Sequence, residues 1–166
     1  MKKTLLTLIF IVGISTISFA QNANIKYHGE VEAGYTLGVG DELYKNDRIN
    51  LRTIQGIQIG ECFSTGLGLG IDYYLNDVNE MAIPVYANFK GYYPTGTDIK
   101  PYLSLNLGYG IGIGDISDLS GFMWEPAVGV KLKWFKAEVG YTSQHASIAG
   151  YGFNLNGLQL KIGVMF

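Results

Sequence analysis

His145-Ala146-Ser147 sets an imidazole and a hydroxyl two residues apart, a spacing that puts both side chains on one face of a strand. A base beside a serine hydroxyl is the start of an acyl-transfer site, which also needs a group to orient the imidazole and donors for the oxyanion. After Glu138 the sequence holds no acid, so Asn154 or Asn156 would have to orient the histidine. The simpler reading makes these residues solvated members of an outer loop. His28 reads as a packed or hydrogen-bonded side chain rather than a ligand. With Cys62 and His145 it is too scattered along the chain to form a metal site, so neither metal nor cofactor is expected. Cys62 stands at a tight turn beside Glu61, and nothing nearby in sequence would activate its thiol. The spacing Gly66-Leu67-Gly68-Leu69-Gly70 has the look of a phosphate loop, but no helix follows to supply the anion site.

The elements that must position these residues are strands. Lys2 and Lys3, an apolar run from Leu5 to Ile17 and the small-x-small end Ser18-Phe19-Ala20 read as an export signal over residues 1–20, leaving one domain over residues 21–166. No later apolar run approaches the roughly 20 residues a transmembrane helix needs. Period-two alternation recurs eight times instead, near 27–37, 49–59, 63–73, 82–92, 102–113, 124–133, 135–142 and 158–166. The third run is the cleanest, with Phe63, Thr65, Leu67, Leu69, Ile71 and Tyr73 opposing Ser64, Gly66, Gly68, Gly70 and Asp72. Ile54 alone spoils the polar face of the second. Breakers such as Asn76-Asp77, Pro94-Thr95-Gly96 and Gly114-Asp115 separate the runs. Connections over 40–47, 75–81, 114–121 and 143–156 read as the outer ones; those after strands two and six are very short, and 93–98 is longer than that pattern suggests.

Residue size decides which face points where. The polar face is rich in glycine, a residue suited to crowded or curved sheet, while the other face holds Leu, Ile, Val, Phe and Tyr in numbers too large for a narrow eight-stranded interior. Turned outward, they form the apolar band that lipid requires, and closure of the sheet pairs every backbone group. Tyr27, Phe63, Tyr93, Trp134, Phe135 and Phe166 fall near one end of that band, and Tyr73, Tyr109, Phe122, Trp124, Tyr141 and Tyr151 near the other, as two interfacial girdles. In this register Glu30, Glu32, Arg52, Lys90, Lys131, Glu138 and Lys161 point inward, where they are expected to pair and close the lumen. Composition agrees: charged residues make up 16% of the chain against about 25% in soluble domains. Without residues 1–20, 10 basic residues stand against 14 acidic ones, net −4, which is no nucleic-acid footprint. The fold expected is all-β: a closed, antiparallel, up-and-down transmembrane β-barrel of about eight strands.

The last nine residues sharpen that expectation. Leu158, Leu160, Ile162, Val164 and the terminal Phe166 alternate as in the C-terminal assembly signal of bacterial outer-membrane proteins. With the export signal, strand number and length, the mature chain resembles the small outer-membrane β-barrel families, OmpX-like proteins and the OmpA-like membrane domain. That resemblance implies insertion by the barrel-assembly machinery, residence in the outer membrane of a Gram-negative cell, and a role in envelope integrity, surface interaction or adhesion. His145 and Ser147 separately resemble the His-x-Ser pair of the PagL-like lipid A deacylases, themselves small barrels. Ile148 departs from the family's Asn after the serine, and Gln159 stands where a downstream acid would be sought.

The leading expectation is thus a non-enzymatic envelope protein whose partners are outer-membrane lipid, the assembly machinery and an extracellular molecule met by outer-loop residues Ile116, Leu119, Phe122, Ile148 and Phe153. The rivals are a lipid A deacylase, a narrow porin-like pore for water or ions, and a soluble calyx of lipocalin type.

Overall fold

Alternating side chains on an extended backbone need a partner strand on each side, and the chain supplies them by bending back seven times. The computed structural model describes residues 24–40, 47–75, 81–113, 120–148 and 151–166, and of Ser147, Ile148, Tyr151 and Phe153 the backbone only. The export signal expected over residues 1–20 lies outside the described residues, as do Asn76-Asp77 and Gly114-Asp115. Eight strands form: β1 Ile25–Val39, β2 Arg48–Ile59, β3 Phe63–Tyr74, β4 Met81–Tyr92, β5 Ile99–Ile113, β6 Gly121–Leu132, β7 Phe135–Ile148 and β8 Tyr151–Met165. Each pairs antiparallel with its neighbours in chain order, and β1 meets β8 through pairs such as Val31 with Val164, so the sheet closes into a barrel. The seam is completed where the Gly29 amide donates to the Phe166 carbonyl at 2.7 Å and the Phe166 amide donates to the Gly29 carbonyl at 2.9 Å.

The large apolar side chains point away from the lumen on every strand. Leu67 is 72% exposed and Val130 42%, while their sequence neighbours on the other face turn inward. Inside, the packing is mixed rather than purely ionic. Ile54, the residue that spoiled the pattern of β2, is buried in the lumen with Tyr86 and Met123. Tyr92, Tyr102 and Met165 form a second cluster nearer the end where β1 begins and β8 finishes, and Tyr74, Ala82, Ala146 and Leu155 a third at the opposite end. The inward glycines make room for these rings: a Cβ on Gly68 would lie 2.2 Å from the Tyr86 ring.

Two strand prolines leave visible marks. Pro84 lies in a gap in the β3–β4 register between Leu69–Val85 and Asp72–Ala82, and Pro126 in one in the β6–β7 register between Trp124–Ser143 and Ala127–Gly140. Neither proline can donate to a ladder, so each ring costs its sheet one local stretch of pairing.

The sheet corrects one sequence-based boundary. Residues 143–156, expected as an outer connection, lie almost wholly in β7 and β8, which stay paired as far as Ile148 with Tyr151. Polar side chains there mark the end of the apolar band, not the end of the sheet, because the backbone groups still find partners across the hairpin. At the other end the β2–β3 and β6–β7 turns are short, with Gly60 (φ 62°) and Lys133 (φ 55°) supplying left-handed conformations, while the β4–β5 connection runs over 93–98.

Candidate functional site

The barrel interior holds the densest chemistry. Five carboxylates, Glu30, Glu32, Asp72, Glu125 and Glu138, face five cations, Arg48, Arg52, Lys90, Lys136 and Lys161, and each is at most 4% exposed. The numbers match, five acids against five bases among the described lumen residues. Pairing runs along the barrel from the end where β1 begins and β8 finishes. His28 Nε2 lies 2.6 Å from Glu30 Oε1, which also accepts from Lys90 Nζ at 2.7 Å. Lys136 Nζ joins Glu30 at 2.6 Å to Glu32, and lies 3.5 Å from Glu138. Lys161 sits between Glu138 at 3.2 Å and both Glu32 and Glu125 at 3.5 Å. Arg52 then bridges Glu125 and Asp72, reaching the latter at 3.0 Å, and Arg48 donates to Thr142 at 3.0 Å and to Tyr74 at 3.2 Å.

Neutral groups and rings fill the remaining space. Asn106 and Gln159 each donate to Glu125 at 3.0 Å, and Tyr102 donates to Glu138 at 2.8 Å. Arg52 stacks over Tyr86 with its guanidinium carbon 5.5 Å from the ring centre, and Arg48 over Tyr74 at 5.6 Å. The Tyr92 and Tyr102 rings, 5.5 Å apart, close the lumen toward the end where β1 begins. Charges this deep are held by their partners, and their isolated burial would be prohibitive.

Of the seven inward charges expected from sequence, Glu30, Glu32, Arg52, Lys90, Glu138 and Lys161 are buried and paired. Lys131 departs from that expectation. It is half-buried beyond the tyrosine plug, with its ammonium 5.7 Å from the Tyr92 ring centre and no carboxylate within ion-pairing distance among the described residues. Its register explains this, since its partners across β5 and β7 are both cations, Lys100 and Lys136. Sequence reasoning left Arg48, Asp72, Glu125 and Lys136 out of the paired set, although the last three alternate on the same face as the charges it named. Of the assembly-signal residues, Leu158, Leu160, Ile162 and Phe166 are exposed on the outer face of β8 and Val164 is half-buried there.

The second candidate lies on the outside of β7 and β8. His145 is exposed and pairs in register with Asn154, and its Nδ1 is 2.9 Å from Asn154 Oδ1. The ring covers Gly152, where a Cβ would stand 3.2 Å from Nε2, and Gly152 is the register partner of Ser147. An asparagine oxygen accepting from Nδ1–H fixes the tautomer that leaves Nε2 free to accept a proton. Side chains of Ser147, Ile148 and Phe153 lie outside the description, as do Ile116 and Leu119; Phe122 is 54% exposed. The described residues bring together no group of three His, Cys, Asp or Glu able to hold a metal ion. Exterior hollows are apolar; one of about 410 Å³ is lined by Gly91, Tyr93, Pro101, Leu103 and Val128 among others.

No protein-family model matches the sequence, and comparison with curated proteins finds no relative. Solved structures do resemble the barrel. Neisserial surface protein A superposes with a TM-score of 0.68 at 14% identity, over 86% of this chain and 97% of that one. The outer membrane enzyme PagL follows with a TM-score of 0.60 at 15% identity, over 81% and 98% of the two chains. Ail, the attachment invasion locus protein of Yersinia pestis, solved with the heparin analogue sucrose octasulfate, gives 0.51 at 11% identity over 85% and 99%. The chain has the fold of the small eight-stranded bacterial outer-membrane β-barrels.

Proposed function

We propose that this chain is an outer-membrane barrel with a sealed lumen, serving envelope integrity or surface interaction rather than transport. The observation that carries the reading is the pairing of five buried carboxylates with five buried cations behind two tyrosine rings, inside a sheet whose outer surface is apolar on every strand. An ion entering the lumen would have to separate these pairs, whereas lipid meets the exterior with no polar backbone edge. The fold's occurrence in a Neisserial surface protein and a Yersinia attachment protein supports a surface role. In this reading residues 1–20 direct export, the assembly machinery reads Leu158, Leu160, Ile162, Val164 and Phe166, and the outer connections with Phe122 meet an extracellular partner. Reconstitution in planar bilayers tests the seal: folded protein that adds no conductance agrees with it, and discrete current steps from heat-modifiable, folded barrel would overturn it.

One observation favours a second reading. Asn154 on His145 Nδ1 supplies the orienting group that an esterase needs, on the outward side of β7 beyond the apolar band and two residues along the strand from Ser147. The likeness to PagL supports testing it as a lipid A deacylase. Mass spectrometry of lipid A from cells making the protein should then show loss of an ester-linked acyl chain that returns with Ser147→Ala. Full acylation beside abundant folded barrel eliminates this reading.

A further inference from the structure

A polar side chain turned toward lipid needs a partner, because hydrocarbon supplies none. Among the described residues of β1 to β6, the outward face holds three such side chains besides its tyrosines: Thr53, Gln55 and Thr65. The two threonines turn their hydroxyls to the backbone, each donating at 3.0 Å, Thr53 to the Glu30 carbonyl and Thr65 to the Asn88 carbonyl. Gln55 is exposed, and its carboxamide carries two N–H donors as well as an acceptor oxygen. Tyr27 donates its hydroxyl to Gln55 Oε1, and Gln55 Nε2 donates to Thr53 Oγ1 at 2.8 Å. This relay, running from Tyr27 to the sheet, fixes which end of the amide is which. It leaves the second N–H of Gln55 without an acceptor among the described residues.

An apolar hollow of about 290 Å³ begins one rung further along the same wall. Thr53 lines it with Val31, Leu51, Leu69 and Ile71, four exposed side chains of the outward face. Val31, Thr53 and Leu69 are register partners, and Gly29, Gln55 and Leu67 form the next outward rung toward the end where β1 begins. The amide thus stands at the mouth of the hollow. On the β8 side the Phe166 ring covers Gly29, where a Cβ would lie 2.5 Å from it, and Tyr27 stands beside that ring at 6.3 Å between centres. Interfacial rings mark the headgroup level, so the spare N–H lies where ester carbonyls meet hydrocarbon.

We infer that the outer wall of β1 to β3 holds one ester-linked lipid of the leaflet at this end, a carbonyl accepting from Gln55 Nε2 and the attached acyl chain lying in the hollow between Thr53 and Ile71. The inference rests on the membrane reading proposed above. At this depth such a lipid offers acceptors and no donors, which matches a spare N–H. A second barrel pressed against the wall would bring the same spare donor, since Tyr27 already engages Oε1. Complementarity therefore selects lipid.

Native mass spectrometry of the mature barrel in detergent tests this with two probes alike in chain and headgroup: dioleoylphosphatidylglycerol and its diether analogue, which lacks both carbonyls. We expect one diester lipid retained per barrel and held about fivefold more tightly than the diether, the effect of one hydrogen bond. Gln55→Leu, an apolar change on an apolar face, should erase that preference and leave the fold intact. Val31→Phe should weaken both lipids alike by filling the hollow. Equal retention of diester and diether by the wild type, retention of neither, a preference unchanged in Gln55→Leu, or full retention in Val31→Phe would each overturn the site. A barrel dimer that falls apart in Gln55→Leu would assign the N–H to a second copy and overturn it as well. Heat-modifiable migration of every variant separates failure here from failure of the membrane reading: a folded, detergent-dependent barrel without the ester preference defeats only the inference, and an aqueous, detergent-independent protein defeats both.

Discussion

The two faces of the same eight strands are built on opposite rules. Inside, each charged group has named partners: Lys136 alone serves Glu30, Glu32 and Glu138, so a change at one position strands several others. Outside, Leu67, Leu69 and Ile71 are exposed side by side and owe their fitness to being apolar, not to any particular neighbour. A low-dielectric interior penalises unpaired charge steeply, while hydrocarbon accepts any side chain that brings no polarity. Specificity therefore resides in the lumen, and membrane compatibility in the band around it.

The largest effect should come from Lys136→Met, which leaves three carboxylates around an apolar side chain. Breaking a buried ionic cluster from one side costs about 3 to 5 kcal/mol, read as the shift in unfolding free energy by urea titration of the reconstituted barrel. Adding Glu32→Gln should recover part of that loss; additive losses would show that the two side chains are not coupled. On the other face, Leu69→Arg should cost about 2 to 4 kcal/mol if β3 crosses the bilayer at mid-depth, whereas Leu69→Val should change stability by less than about 1.5 kcal/mol. If both Leu69 variants behave alike, the exterior does not face lipid. Between the faces stands Gly68, whose missing Cβ is occupied by the Tyr86 ring. Gly68→Ala should cost about 1 to 3 kcal/mol by overpacking, and a Gly68→Ala, Tyr86→Phe pair that is no better would show the ring itself, not its hydroxyl, to be the obstacle.

The contrast also explains how much could be read without a structure. Period-two alternation places Leu67 and Val130 outside and Glu30 and Lys161 inside, because one side chain in two must share a face whatever the partner strand does. It is silent on partners across the lumen. Lys136 and Glu30 are 106 positions apart and meet only because closure places β7 and β1 on either side of β8. Ile54 looked like an error in the pattern because a lumen was assumed to be polar throughout; ring stacking and packing against Met123 make it part of the fill. Residues 143–156 were misassigned for a related reason. Alternation of hydrophobic character ends where lipid ends, but the hydrogen-bonded ladder continues above it, and that extension aligns Asn154 with His145. Neither asparagine position in the sequence distinguishes an orienting group from a solvated one; register does.

The smallest expected effect lies at the rim, where water replaces the low-dielectric interior. Glu61 is fully solvent-exposed, and the hydrogen bond and charge of Lys100 hold its carboxyl below the ordinary glutamate range. A carboxyl with a depressed folded-state value adds stability that is present above its unfolded value, about 4.3, and is lost as pH falls through the lower, folded one. The difference in unfolding free energy between wild type and Glu61→Gln should therefore be constant from pH 7 to about pH 5 and fall away as the pH drops below the unfolded value, while contributions from the buried network, common to both proteins, cancel. Because salt screens exposed pairs, raising ionic strength to about 1 M should erase the same difference at pH 7. A difference that survives both acid and salt would mean that Glu61 acts through packing at the β2–β3 turn, and the rim would then follow the rules of the interior.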